Sequence, residues 1–399
     1  MSTALWLPRR VLEALMPPAE PRLALMSFVA RLPTFLVTLS LVLIVREQGG
    51  TFTWAGLLSA NYALGVVIFG PVVATSVSRH GGKWPMRLTG LAFPLVSIAL
   101  VYSSSPRSLW QAILAFVLGA ALPPTVAVMR SLWGQLGLAD SKVRAAYTWE
   151  ATVTELLAVT SPALLAVLML TGSAGNALIL AAITGGSAAW LVGGSDVSTR
   201  VVEPDSTGRR HLTATFTPLL SPPFVLLLVA MLVCAAALGM TALAIPAFVD
   251  THGDAGVSGA VYAAWGVGSA IGVVLLGSAV VSSRSLPWLV LIYAAGTALP
   301  LVASTNVALA VTLAIGGAPI ALVSACELTL VNDLVPKVDL PVAFTWAGTI
   351  SLLGEGIGFQ AGGALAEHVG TDGVFIGASC IALAAMIPAI VLATITNRD

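Results

Sequence analysis

Six ionisable side chains stand inside long apolar runs: Arg31, Arg130, Glu150, Glu155, Glu327 and Glu355. A charge at the middle of a bilayer costs about 2.5–3.5 kcal/mol on insertion scales, so such groups persist where they pair, face water or carry an ion. Glu355 is nearest mid-depth, about fourteen residues into its run. A carboxyl group held there, away from bulk water, can take a proton from one side of a membrane and release it on the other. Glu355, Glu327 and Glu155 are therefore the proton-coupling candidates. The plainer alternative for each is a neutral carboxyl hydrogen-bonded to a nearby backbone carbonyl. Arg130 and Glu150 flank one short basic loop, each roughly 8–9 Å deep at about 1.5 Å per residue. They can pair as a structural latch, or Arg130 can snorkel to the interface. Glu155 stands roughly 140° around the helix from Glu150 and cannot share its face. Arg31, about a dozen ångströms deep by the same rise, can reach it. Arg31, Arg130 and Glu150 are thus the charge-pair or gating candidates.

Near these charges lie Phe28, Phe35, Trp149, Trp265, Trp346 and Phe359, with Gln360 as one of the few amides inside a run. They are substrate-cavity candidates, since aromatic faces stack on apolar or cationic ligands; packing is the commoner use of such rings. Pro33, Pro123-Pro124 and Pro319 interrupt the same runs and free backbone carbonyls that a cavity can use.

The elements that position these groups are membrane helices. The chain is 57% hydrophobic and 9% charged, with mean hydropathy +0.96. Soluble domains carry roughly 25% charged residues, so lipid must be the solvent for this one. Zero net charge argues against nucleic-acid binding. Cys234, Cys326 and Cys380 sit in apolar runs and read as small buried hydrophobes. The four histidines fall in loops and are scattered, so no metal site is expected.

A membrane helix needs about 20 mainly apolar residues. Twelve candidate spans follow: Leu23–Val45, Thr53–Ser78, Met86–Ser104, Leu109–Gln135, Ala145–Leu170, Ala177–Val192, Phe224–Val249, Val257–Val281, Leu286–Ala303, Val307–Leu334, Val342–Leu365 and Phe375–Ile395. The sixth and ninth are the weakest. With both termini inside, only Arg46 and Arg107 fall in outer loops, while Arg79, Lys83, Lys142, Arg144, Arg209, Arg210, Arg284 and Lys337 are among the many inner ones. This bias sets both termini in the cytoplasm of an inner-membrane protein. Trp54, Trp84, Trp110, Trp190 and Trp288 stand near span ends, as interfacial anchors do. Residues 1–22 read as a cytoplasmic segment with a short interfacial helix, not a signal peptide. Residues 23–192 and 224–399 form two six-helix bundles, joined by a cytoplasmic linker, 193–223, rich in Ser, Thr, Pro and Gly.

The halves are related by an internal repeat. Gly119–Leu168 returns 197 positions later as Gly316–Leu365, with Ala146-Tyr147-Thr148-Trp149 becoming Ala343-Phe344-Thr345-Trp346. In this register Glu327 occupies the place of Arg130. The second span matches the eighth at an offset of 203, through Ala60 and Gly65 with Ala263 and Gly268. Repeated membrane units are a sequence mark of secondary transporters.

Spans, split and linker together resemble the major facilitator superfamily. The loop Ala74-Thr75-Ser76-Val77-Ser78-Arg79-His80-Gly81-Gly82-Lys83 resembles the family's G-x-x-x-D-R-x-G-R-R/K motif. It keeps Arg79, Gly81 and Lys83 and departs at Ala74, Ser78 and Gly82. The drug/proton antiporter branch carries G-x-x-x-G-P-x-x-G-G in its fifth span. Here the eleventh span has every glycine of that pattern, Gly354-Glu355-Gly356-Ile357-Gly358-Phe359-Gln360-Ala361-Gly362-Gly363, with Phe in place of Pro. Gly354, Gly358 and Gly362 share one helix face, which lets helices pack backbone to backbone. The resemblance implies that the eleventh span packs on the second, across the halves. It also implies that the first, fourth, seventh and tenth spans line a central cavity and the third, sixth, ninth and twelfth face lipid.

The resulting expectation is a monomeric secondary active transporter, proton-coupled, exporting an apolar or amphipathic small molecule by alternating access. The rival is an uptake symporter for a polar metabolite such as a sugar or carboxylate. No cofactor is expected, the proton gradient being the energy source. No P-loop pattern is present, which argues against ATP-driven pumping, and no Ser/His or His/Asp set at one depth points to an enzyme.

Overall fold

The computed structural model describes residues 21–80, 82–103, 108–125, 172–194, 217–253, 257–276, 284–336 and 339–396, with isolated helical positions between 128 and 168. All regular structure among them is helical. The first span is the helix Pro21–Glu47, the second Phe52–His80 and the third Lys83–Val101. The fourth starts as Leu109–Ala120, the sixth is Ala174–Gly194, the seventh Pro222–Thr251 and the eighth Ser258–Leu276. The ninth is Leu286–Ala298, tightening into a 3-10 turn at Leu299–Val302 where Pro300 removes a donor. The tenth is Asn306–Leu334, the eleventh Leu340–His368, and the twelfth comprises Thr371–Ala384 and Met386–Thr396. Of the fifth, positions such as Ala146, Trp149 and Val153 are helical. The sixth span, short in the sequence, is a full-length helix. Residues 195–216 of the expected linker lie outside the described residues.

Ends are fixed by local chemistry. Ser108 and Thr305 cap the fourth and tenth spans by accepting from Gln111 N and Ala308 N. Gly49 and Gly253, at φ +72° and +80°, reverse the chain just after the first and seventh spans. The fourth span breaks where expected. Leu122, Pro123 and Pro124 are not helical, and Thr125 N turns to the Pro123 carbonyl instead of continuing the ladder. Its repeat partner, the tenth, runs unbroken through Pro319.

The first and seventh spans are the most enclosed; Ala236–Val249 is buried almost without interruption. The third, sixth, ninth and twelfth each present bare apolar side chains, such as Leu88, Leu180, Ile292 and Ile387. The second, fourth, eighth and tenth do so as well, at Ile68, Ile113, Ile271 and Ile315, so exposure alone does not single out four lipid-facing helices. Trp84, Trp110 and Trp288 are exposed at helix ends, as anchors are. Trp54 is not: its indole N–H donates to Gln111 Oε1 at 2.8 Å, and Gln111 donates in turn to Gln48. Cys234 and Cys326 are buried, but Cys380 is exposed on the twelfth span.

The eleventh span packs on the second, as the family resemblance implies, but not through the Gly354–Gly358–Gly362 stripe. A Cβ on Gly354 or Gly358 would overlap carbonyl oxygens of Leu232 and Ala236, and one on Gly362 would press on Met240, all on the seventh span. The second span is met by the opposite face. A Cβ on Gly56 would strike the Phe359 carbonyl, one on Gly363 the Phe52 carbonyl, and one on Gly356 the Ala63 side chain. The eleventh helix is thus small on two sides and sits between the seventh and the second.

Repeat symmetry shows in the same packing. Gly119 fits against Tyr62 O and Val66 N; Gly317 fits against Trp265 O and Ser269 N. Tyr62 and Val66 lie 203 positions from Trp265 and Ser269, as the sequence match indicates. Gly119 and Gly317, however, are 198 apart, one residue off the 197 register read from identities.

One apolar cluster joins both halves at the end away from the linker. It runs from Leu36–Val45, Phe52 and Leu58 into Met240, Ala242–Ile245, Phe248, Val249, Trp265 and Phe359. Near the linker the halves keep separate clusters, one around Val77, Met86, Met129 and Val192, the other around Phe224, Leu286, Leu330 and Leu392. Among the described residues the molecule is closed at the linker-distal end.

Matched substitutions on the eleventh helix test the close approach. Gly358→Ala is expected to lower the unfolding midpoint in detergent by several degrees, overpacking costing about 1–3 kcal/mol. Gly348→Ala, where an added Cβ meets nothing within 4 Å, should leave it unchanged or slightly raised, since Ala outranks Gly by roughly 1 kcal/mol in a helix. Equal midpoints for the two would mean the backbone contact is dispensable.

Candidate functional site

The eleventh helix carries Glu355 to the seam between the halves. Its backbone is pressed against Gly239 of the seventh span. Its charge is felt at Tyr62 on the second span and at Tyr262 on the eighth. Tyr262 meets Trp265 edge-on, with ring centroids 5.4 Å apart. Tyr262 therefore links Glu355 to Trp265, and Tyr62 approaches the same carboxyl group from the other half. Phe359 is buried in the apolar cluster, its carbonyl under Gly56. Gln360 is half-buried with Oε1 unpartnered among the described residues. It borders an apolar recess of about 360 Å³ between the second and eleventh spans, with Ala60, Ala63 and Gly356.

Glu327 has a different address. It is buried in the tenth span and lines a cavity of about 90 Å³ whose walls come from the seventh, ninth, tenth and eleventh spans. Cys234 hydrogen-bonds to its carboxyl group, and Tyr293 donates to the Cys234 carbonyl at 3.3 Å. Oε1 of Glu327 is buried with no partner among the described residues.

Arg31 is buried in the first span and lines a third space, about 250 Å³, with Thr34, Val66 and the broken fourth span from Gly119 to Thr125. Phe28 is half-buried on the same helix, and Trp149 is half-buried with its indole N–H unpartnered among the described residues. Trp346 packs on the linker-side cluster of the C-terminal half. Lys83 opens the third span and is half-buried. Arg130, Glu150, Glu155 and Gly81 lie outside the described residues, as do the side chains of Phe35 and Arg79. The pairings Arg130–Glu150 and Arg31–Glu155 rest there.

The seam also holds a polar cluster of which the sequence singles out only Arg46, as an outer-loop charge. Arg46, at the end of the first span, forms an ion pair with Asp250 at the end of the seventh. The Arg46 guanidinium lies 4.2 Å from the Phe52 ring centroid and donates to Gly50 O. Phe52 N donates to Glu367 Oε2 at 3.1 Å, and Thr53 Oγ1 to Gly363 O at 3.4 Å. Each of these last two bonds crosses from one half to the other, as the ion pair does. A signal was present: Arg46 and Asp250 are 204 apart, as are Gly49 and Gly253, so opposite charges occupy equivalent positions.

No family sequence model matches the chain, and no curated protein matches it in sequence. Solved structures do. A mutant of the nucleoside transporter NupG superposes with TM-score 0.72 over 93% of this chain and 98% of its own, at 11% identity. The peptide transporter POT, in complex with sulfate, gives 0.67 at 14% identity over 94% of each chain. The human organic anion transporter MFSD10 gives 0.63 at 15% identity, over 93% of this chain and all of its own. This chain has the major facilitator fold. It is a multi-pass, all-α membrane protein of two pseudo-symmetric six-helix bundles, and the structures named are transporters, none an enzyme.

The Arg46–Asp250 pair is about a third exposed on each side. Such pairs are worth about 0.2–1 kcal/mol, enough to bias two conformations up to about fivefold without locking one. Arg46→Asp and Asp250→Arg should each speed the labelling of a Thr53→Cys reporter by a bulky hydrophilic maleimide in detergent, several-fold. The double reversal should return the rate toward that of the parent. A double variant as fast as the singles would remove the pair from the gate.

Proposed function

We propose that this chain is a secondary active transporter of the cytoplasmic membrane that moves a small molecule by alternating access, with proton-coupled export of an apolar or amphipathic compound as the working direction. The carrying observation is the placement of Glu355 midway along the eleventh helix, at the seam and within electrostatic reach of Tyr62 in one half and Tyr262 in the other. The halves are joined at one end only among the described residues. Rocking about that seam exposes Glu355 first to one side and then to the other. A carboxyl group so placed binds a proton from the side where protons are abundant and gives it up on the other. Glu327 is the second proton-coupling candidate, and Glu155 a third. The proton gradient supplies the energy, and the protein acts as a monomer with its termini in the cytoplasm. The likeness to transporters of nucleosides, peptides and organic anions supports transport as a class and leaves the cargo to chemistry.

The cavity at Arg31 favours a second reading. It combines a cation, two hydroxyls and a broken backbone, a lining that suits a polar solute such as a carboxylate or sugar taken up by symport.

Glu355→Gln should abolish transport driven by a pH gradient in proteoliposomes, tested with a panel of dyes and metabolites and the gradient reversed in parallel. Expression and gradient-free exchange should persist. Wild-type rates under the gradient would discard Glu355 as the coupling group, and export reversed to co-uptake would select the symport reading.

A further inference from the structure

The residues lining the cavity at Glu327 all belong to the C-terminal half, and Ser351 among them stands one helical turn from Glu355. One carboxylate oxygen, Oε1 of Glu327, is buried there without a partner among the described residues. The hydroxyls of Ser324 and Ser351 line the same space. Cys234 and Tyr293 are already engaged, the thiol with Glu327 and the phenol with the Cys234 carbonyl. Three side-chain oxygens therefore remain as acceptors. The rest of the wall is hydrocarbon and thioether: Met231, Leu238, Ile320 and Val323.

A bare metal ion wants oxygen on all sides, and this lining offers it on one. Buried charge calls for a partner of opposite sign. A primary ammonium group brings that charge together with three N–H donors, and its alkyl chain suits the apolar wall. The geometry points to a subsite for the primary ammonium group of a small alkylamine, held by Glu327, Ser324 and Ser351. This deepens the transport reading by naming the cargo's polar group and rests on that reading only for the amine being moved; binding stands by itself.

The test uses the full chain purified in detergent, with Cys326→Ser and Cys380→Ser so that Cys234 is the only thiol. Its modification by methyl methanethiosulfonate is followed by mass spectrometry. Hexylammonium should slow the reaction at least fivefold. Hexyltrimethylammonium, which has no N–H, and hexan-1-ol, which has no charge, should not. Glu327→Gln should raise the protecting concentration at least tenfold and Ser351→Ala several-fold, while Glu355→Gln leaves it unchanged. Equal protection by the alcohol, or by sodium ion in place of the amine, would overturn the assignment, as would full protection in Glu327→Gln. If that variant does not fold, the comparison of probes on the parent protein decides alone. Amine protection in a protein that transports nothing would remove the transport reading and keep the subsite; transport without amine protection would do the reverse.

Discussion

Lipid gives helices no hydrophobic reason to prefer one another over acyl chains. What holds this molecule together is close backbone approach, and that needs residues with little or no side chain. The eleventh span meets this need on two faces at once, with Gly354, Gly358 and Gly362 against the seventh span and Gly356 and Gly363 against the second. One contact belongs to the C-terminal half and the other joins the halves. The same helix therefore carries Glu355 into the seam and fixes its height against Tyr62 and Tyr262. Packing within the C-terminal half, contact between the halves and the candidate coupling group all hang on one stretch of small residues.

The three described cavities divide the polar work. Arg31 sits with the broken fourth span inside the N-terminal half, Glu327 among spans of the C-terminal half, and Gln360 at the margin between them. Glu355 alone among the proton candidates described here feels groups on both halves. This separation permits a molecule to hold a ligand in one place and sense closure in another.

Much of this was legible in the sequence because hydrocarbon thickness is a hard constraint. Apolar runs of the required length gave the spans, proline pairs gave the break in the fourth, and buried acids stood out against them. Contacts were less legible, for reasons that differ by residue. A glycine stripe declares that a face is close-packed but does not say against what, so the partner of Gly358 is the seventh span although the family pattern brings the second to mind. Identities set the repeat at 197, whereas packing pairs Gly119 with Gly317, a register that side-chain identity does not report. Phe359 belongs to the core, since Gly56 lets the second span approach the eleventh backbone to backbone beside it. Trp54 looked like an interfacial anchor and is a hydrogen-bond donor within the N-terminal half. Arg46 was read as one more loop charge, because nothing local distinguishes a solvated arginine from one with a partner two hundred residues away.

The opposite charges of Arg46 and Asp250 stand at corresponding points of a twofold-like plan. Two copies of the first bundle joined in the same manner would set arginine against arginine at that corner, and two copies of the second would set aspartate against aspartate. Each bundle therefore disfavours its own twin and accepts its counterpart. The chain has lost the interchangeability of its parts, and a corner only a few atoms wide records the sense in which it did so.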